Sequence, residues 1–293
     1  MNKIGIIGCG KWSDNVKREI VKNKNFELRA ITCRNKYYFN KKNTKIYSNY
    51  EQMIEDENLD CLYVAADPKV NFDVLKFVSK RKMPIIFEKP LCYNYKEAKF
   101  FLENAKNNNH IILNNLPNIY SETFNETKKF YELNKNNIKK INIIEGGRGP
   151  IRKNINPIQD WSTHSISYIL KLSNEKINKI KYQILNYKNS YSFNILYNIT
   201  LNTKINIKIL NGNNFKKKIR SIKFYLNNGE SYHNDLINHK IFLKNKQLFT
   251  NSFSPLSSLL NEFNSSINNS YTKSNYENLK IAAETVKIIE KQI

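Results

Sequence analysis

At 293 residues and 34.6 kDa the chain suits one large domain or two ordinary ones, and 40% hydrophobic with 25% charged residues excludes wholesale disorder. Lysine and arginine number 48 against 25 acidic residues, a net charge of +23 that raises nucleic acid or an anionic membrane as partners. Both are set aside: no apolar run approaches the roughly 18 residues that span a bilayer, and the basic residues spread along the chain, with only Lys216-Lys217-Lys218 and Arg220 in a tight cluster and no recognition-helix, zinc-finger or RNA-binding aromatic signature beside it.

Residues 4–9 read as a short buried strand, followed by a glycine turn and a helix running to about Lys22. A second strand covers 26–33, a short helix 50–58, and a continuously apolar strand 61–66. Then come a helix over 70–81, a strand over 84–87, a helix over 95–107 and a strand over 110–113. Strands alternating with helices, their runs apolar on both faces, predict a parallel sheet covered on both sides. Charged residues crowd in directly after Gly10 with no cleavage pattern, so the start does not read as a signal peptide. Cys9, Cys33, Cys61 and Cys92 are dispersed without a CxxC pair, which reads as reduced thiols in a cytoplasmic protein. The four histidines, His110, His164, His233 and His239, lack metal-ligand spacing, so no metal is expected.

The pattern changes after about residue 118. A helix over 121–133 leads into a strand over 138–145, a glycine-rich stretch, and a helix over about 160–172. Alternating segments at 180–187, 192–201, 204–210, 219–226 and 240–248 read as antiparallel strands, with Asn-Gly at 211–212 and 228–229 as turns. Amphipathic helices at about 257–268 and 276–292 close the chain. The domains are expected at 1–118 and 119–293.

Glycine is scarce, with eight in the chain, so its placement is informative. Gly8-Cys9-Gly10-Lys11-Trp12-Ser13 follows the first strand and opens the first helix. This is the GxGxxG context, with Ser13 in place of the third glycine, and it predicts a dinucleotide pyrophosphate on the helix N-terminus of a Rossmann domain. A tight turn without ligand is the plainer reading. Cofactor contacts are expected from Gly8, Gly10, Lys11 and Trp12. The second strand ends in Cys33-Arg34, where folds that prefer NAD carry a carboxylate for the ribose 2′-hydroxyl. Arg34 instead offers a donor fork suited to a 2′-phosphate, which favours NADP over NAD, although a solvated strand-end arginine is also consistent.

Glu88-Lys89-Pro90 follows directly on a buried strand. Together with the glycine turn, this motif resembles the glucose–fructose oxidoreductase/inositol dehydrogenase/MocA (Gfo/Idh/MocA) family. Ala65-Ala66-Asp67-Pro68 is similar to the family's cofactor-contacting loop, with Asn71 where the family often has histidine, and Asp160-Trp161-Ser162-Thr163-His164 resembles its second-domain D-x-x-x-H signature. The resemblance implies a Rossmann domain followed by an α+β domain on an open, mainly antiparallel sheet, and a homodimer or homotetramer. It also implies an NAD(P)-dependent dehydrogenase of a sugar, sugar nucleotide or polyol. Ala66, Asp67, Asn71, Glu88 and Lys89 join the expected cofactor contacts.

The chemistry of these residues agrees with that reading. Lys89 stands at the carboxyl end of a strand, where open parallel sheets bind ligands, and its ammonium suits a reacting oxygen. Asp160 and His164 share one helix face, with His164 as proton acceptor and Asp160 either orienting it or holding a neighbouring hydroxyl. Taken singly, each has a bland alternative: a strand-end lysine, a helix N-cap and a semi-buried histidine. Gly146-Gly147-Arg148-Gly149-Pro150 is expected to be a flexible loop whose Arg148 and Arg152 either clamp a substrate carboxylate or phosphate or stay solvated. Trp161 is expected at the cleft against cofactor or sugar, or in the core. Two other functions stay open, a non-enzymatic cofactor-sensing protein of the same fold and an NAD-assisted enzyme with no net redox change.

Overall fold

The computed structural model describes residues 1–33, 44–148, 151, 155–251, 253–269 and 273–293. The chain forms two compact units, one of Met1–Asn115 with Leu256–Lys287 and the other of Leu116–Pro255 with Ile288–Ile293.

The first unit runs β1 (Asn2–Ile7), α1 (Lys11–Lys22), β2 (Phe26–Thr32), β3 (Lys45–Tyr47), α2 (Tyr50–Asp56), β4 (Cys61–Val64), α3 (Asn71–Ser79), β5 (Ile85–Glu88), α4 (Tyr95–Asn108) and β6 (Ile112–Asn115). All six strands are parallel, in the order β3-β2-β1-β4-β5-β6. Every residue of β4 and β5 is buried, as strands covered on both faces require. Each buried isoleucine, leucine or valine there contributes roughly 1.5–3 kcal/mol. Helix α1 buries Ser13, Val16, Lys17 and Ile20, a stripe at helical spacing, and carries Asp14 in its first turn. Strand order reverses between β1 and β4, the switch point at which such sheets bind ligands beyond the strands' carboxyl ends.

The last two helices, α7 (Pro255–Asn269) and α8 (Lys273–Glu290), lie largely in this first unit. Phe263 stacks on Phe26 with ring centroids 6.1 Å apart. Asn2 and Asn23 donate to the side chains of Asn264 and Asn261 at 3.0 Å each. A division at residue 118 alone therefore differs from the observed one, because apolar faces on α7 return to β2 across more than 200 residues of sequence, a pairing that no local pattern encodes.

The second unit contains α5 (Glu122–Asn134), β7 (Ile138–Arg148), α6 (Pro157–Ser173), β8 (Ile177–Asn189), β9 (Ser192–Leu201), β10 (Asn206–Gly212), β11 (Asn214–Leu226), β12 (Ser231–Asp235), β13 (Lys240–Leu243) and β14 (Lys246–Thr250). Its sheet has the order β14-β13-β12-β11-β7-β10-β9-β8 and is antiparallel except for the β7–β10 pair. Three expectations change here. Asn211-Gly212 is not a hairpin turn, because β10 and β11 flank β7 on opposite sides. Gly212 sits in the ladder at φ +145°, where a Cβ would lie 2.5 Å from the Phe193 carbonyl oxygen. The 240–248 segment is two strands, turned by Lys244 and Asn245 with φ of 49° and 64°. Finally, β12 was not expected. Its inward residues are Tyr232, stacked on Phe130 at 4.0 Å, and Asn234, which donates to Thr127 Oγ1 at 2.8 Å. Among the described residues, no helix is long and apolar enough to cross a membrane.

Candidate active site

The turn from β1 into α1 is closed by backbone geometry that suits glycine alone. Gly8 adopts φ +107°, and a Cβ there would lie 2.5 Å from the Ala65 carbonyl oxygen at the end of β4. Its N–H donates to Thr32 Oγ1 at the end of β2, at 3.0 Å. Gly10 is the N-cap of α1 with no side-chain cap, and a Cβ on it would meet nothing within 4 Å. The first-turn N–H groups of α1 thus have no side-chain acceptor at the cap, and the backbone is open to a close-approaching anion. Ser13, where the motif usually has its third glycine, is fully buried, with its hydroxyl 3.5 Å from the Ala65 carbonyl. It meets the need for a small residue between helix and strand.

Glu88 ends β5 with its side chain buried. Trp12 Nε1, Tyr63 OH and Asn115 Nδ2 all donate to its Oε1, the last at 2.8 Å, and Asn115 Nδ2 also reaches Tyr63 OH at 3.0 Å. Burial pushes the Glu88 carboxyl above the usual carboxylate range, against the opposing pull of these donors and of the Lys89 charge. The burial that raises Glu88 also pushes the Tyr63 hydroxyl well up, helped by the carboxylate beside it. Glu88 therefore acts as a strut between the first turn of α1, β4 and β6. Sequence reasoning had placed it among the cofactor contacts and did not see its partners, which lie 76, 25 and 27 residues away. Glu88→Ala would strand three donors and is expected to cost about 1–3 kcal/mol, read as a lower urea midpoint at unchanged slope. Lys89, next along the chain, is half-buried and precedes a cis peptide to Pro90.

The other expected contacts of this unit fall at the same carboxyl edge. Ala66 and Asp67 follow β4, half-buried; Asp67 Oδ1 accepts from Lys69 N at 3.0 Å and from Tyr93 OH at 3.2 Å. Asn71 is 1% exposed and donates to the Leu91 carbonyl at 2.9 Å, so its amide ties α3 to the segment after Pro90. Lys11 is exposed, and Trp12 is 40% exposed even with its indole N–H held by Glu88. Cys33 follows β2 and is bonded to Cys9 by a disulfide, with Cα atoms 5.3 Å apart. This corrects the expectation of four reduced thiols: spacing along the chain hid a pair that the fold brings together. Cys61 and Cys92 are buried thiols, and burial pushes the Cys61 thiol well up. Arg34 lies outside the described residues.

In the second unit, α6 begins at Pro157 rather than near residue 160. Asn156 and Gln159 form a capping box with Pro157 at the first helical position, a signature present in the sequence and overlooked. Asp160 is thus a first-turn residue and not the N-cap. His164 is one turn further along, 4% exposed, and Trp161 is half-buried. The register of α6 is held from below by Glu145 of β7, fully buried. Its Oε2 accepts from Asn118 Nδ2 at 3.0 Å and Ser165 Oγ at 3.3 Å, and its Oε1 lies 3.3 Å from Arg220 Nε. Asn211 Nδ2 completes the network, 2.8 Å from Ser165 Oγ. Glu145 was missed by sequence reasoning, although a lone carboxylate closing an apolar strand was its available signal. Arg220, read as part of a solvated cluster, is one arm of this network. Gly146, Gly147 and Arg148 are strand residues of β7, paired with β10 and β11, and not a flexible loop. A Cβ on Gly146 would run into the Phe215 ring. Arg148 is exposed at the strand end; Gly149 and Arg152 lie outside the described residues. No cluster of metal-ligating side chains occurs among the described residues.

Residues 2–116 match the family model GFO_IDH_MocA, described as an oxidoreductase family with an NAD-binding Rossmann fold. The chain is 26% identical over 84 residues to an uncharacterized oxidoreductase of Schizosaccharomyces pombe, a stretch covering 29% of this chain and 23% of that relative. Solved structures share the fold along nearly the whole length. An oxidoreductase from Thermotoga maritima superposes with a TM-score of 0.85 at 14% identity, covering 99% of this chain and 94% of its own. Myo-inositol 2-dehydrogenase from Lactobacillus plantarum gives 0.81 at 15% identity, with 99% and 96% coverage. UDP-N-acetylglucosamine 3-dehydrogenase from Acidithiobacillus ferrooxidans gives 0.81 at 11% identity, with 100% and 97% coverage.

Proposed function

We propose that this chain, which belongs to the Gfo/Idh/MocA oxidoreductase family through its NAD-binding Rossmann module, is an NAD(P)-dependent dehydrogenase or reductase of a secondary alcohol or ketone on a sugar, sugar nucleotide or polyol. One observation carries the reading: Glu88 ties the first turn of α1, directly after the glycine turn, to the strand end that bears Lys89, at the carboxyl edge of a parallel sheet. The residues there fit a dinucleotide. The N-terminus of α1 lacks a side-chain cap, Gly10 leaves its approach open, and Gly8 holds a turn that a side chain would block.

When bound, the nicotinamide supplies the hydride acceptor or donor. The roles of the protein groups follow from their chemistry. The Lys89 ammonium holds the reacting oxygen and steadies the charge that develops on it. His164 takes or returns the hydroxyl proton, and Asp160, on the same face of α6, orients the imidazole. Arg148 and Trp161 are assigned to substrate, the arginine to an anionic group if the substrate carries one. Ala66 and Asp67 line the cofactor's path, whereas Asn71 supports it from below through Leu91. The substrate class follows the sugar-nucleotide and cyclitol dehydrogenases that share the fold. The preference for NADP rests on Arg34 and the absence of a carboxylate at Cys33. The open face of the second unit's sheet is assigned to a second copy of the chain, as a homodimer or homotetramer.

Gly10→Ala tests the cofactor half. With nothing near the added methyl, stability should change by less than about 1 kcal/mol. Dinucleotide affinity should nevertheless fall at least tenfold, because the methyl occupies the space into which the pyrophosphate must come. Unchanged affinity in a fluorescence titration would mean that the turn is only a structural corner.

A further inference from the structure

We propose that Cys9 and Cys33 form a reversible redox site that closes the dinucleotide seat when oxidised; the inference rests on the cofactor-binding reading above. Cys9 stands between Gly8 and Gly10, the two residues assigned to the pyrophosphate, and Cys33 occupies the position after β2 where dinucleotide folds read the adenosine ribose. The disulfide therefore joins the two segments between which that ribose would have to be seated, and it withdraws both side chains from any contact with it.

Neither segment depends on the bridge for its position. Gly8 N–H is held by Thr32 Oγ1 at 3.0 Å, and Cys33 N–H donates to the Tyr47 carbonyl at 2.8 Å. The reduced protein thus keeps turn and strand end in register, which is what a reversible site requires. Accessibility sets the order of events. Cys9 is half-buried while Cys33 is 2% exposed, so an external oxidant meets Cys9 first. Cys61 and Cys92 are also 2% exposed or less, and burial holds the Cys61 thiol in its protonated, unreactive form, so neither competes readily.

A glutathione disulfide suffices as oxidant. The Cys9 thiolate attacks one of its sulfurs, the sulfur–sulfur bond breaks, and one glutathione thiolate leaves. The Cys33 thiolate then attacks the Cys9 sulfur of the mixed disulfide and expels the second glutathione. Two protein thiols are oxidised to one disulfide, two glutathione thiols are formed, and the protons pass to the leaving thiolates. A dithiol reductant reverses the sequence.

The test uses the full chain equilibrated with glutathione disulfide or with dithiothreitol. Free thiols are alkylated and mapped by mass spectrometry, and NADPH is titrated by fluorescence in parallel. The expected result is a Cys9–Cys33 crosslink in the oxidised sample, alkylation of both in the reduced one, and at least tenfold weaker NADPH binding on oxidation, restored by reduction. Cys9→Ser should bind NADPH equally well in both conditions. Failure of the crosslink to form, or equal affinity in the two wild-type samples, overturns the switch while leaving the cofactor assignment intact. A crosslink that forms normally in a protein that binds no dinucleotide even when reduced overturns the cofactor assignment and the switch with it.

Discussion

Lys89→Ala is expected to lower kcat by about 10²–10⁴-fold, the scale associated with removing a positioned electrostatic or proton-transfer group. Lys89 follows β5 directly, and the glutamate before it is fixed by three donors from α1, β4 and β6. The substitution leaves that strut in place, so the fold should survive and near-ultraviolet circular dichroism should be unchanged. Dinucleotide affinity should fall far less than turnover, because Gly8, Gly10 and the N-terminus of α1 remain. Lys89→Arg separates charge from shape: it keeps the cation but replaces a compact ammonium by a planar fork, so it should recover only part of the rate. Turnover of Lys89→Ala within a few-fold of the wild type would remove Lys89 from the chemistry and favour a binding protein of the same fold.

Gly8→Ala should be the most damaging single methyl in the first unit. At φ +107° an alanine carries a backbone cost of about 1–3 kcal/mol. The methyl would also sit 2.5 Å from the Ala65 carbonyl oxygen, a backbone atom directly after β4 that cannot swing aside as a side chain could. Overpacking of that kind adds about 1–3 kcal/mol. The combined loss is a large share of the 5–15 kcal/mol typical of a folded domain. Purified Gly8→Ala should therefore show a markedly lower thermal midpoint and no measurable dinucleotide binding. Its contrast with Gly10→Ala is the informative part. The two glycines are two residues apart, yet one is required by the chain and the other only by the ligand. Equal stability losses at the two positions would contradict this division.

The parts of the fold that were legible in the sequence are those encoded by neighbours. The apolar run 4–7 followed by Gly8 and Gly10 specifies strand, turn and helix within a dozen residues, and the structure has them there. The same holds for β4, β5 and the helices after them. The start of α6 is equally local, since Asn156, Pro157 and Gln159 carry the capping signature ahead of Asp160. What was not legible depends on pairings distant in sequence. β12 has Asn234 facing inward, a polar residue made compatible with burial by Thr127 more than 100 residues earlier. Glu88 and Glu145 look alike in the sequence, each closing an apolar strand, and each is stabilised by donors that only the fold assembles. The Cys9–Cys33 bond belongs to the same class. Two cysteines separated by 24 residues gave no signal until β1 and β2 were known to be neighbours.

The candidate site divides in the same way. Its residue types were readable from motifs, whereas the supports beneath them were not. Arg220 is the clearest case, since a basic cluster that looked like solvated surface contains one side chain drawn inward to Glu145.

Titration of the reduced 293-residue chain with NADPH and with NADH, followed by nucleotide fluorescence, tests most directly whether the first unit seats a nicotinamide dinucleotide. Saturable binding of both, with NADPH the tighter, is the predicted result. No binding of either at millimolar concentration would contradict it.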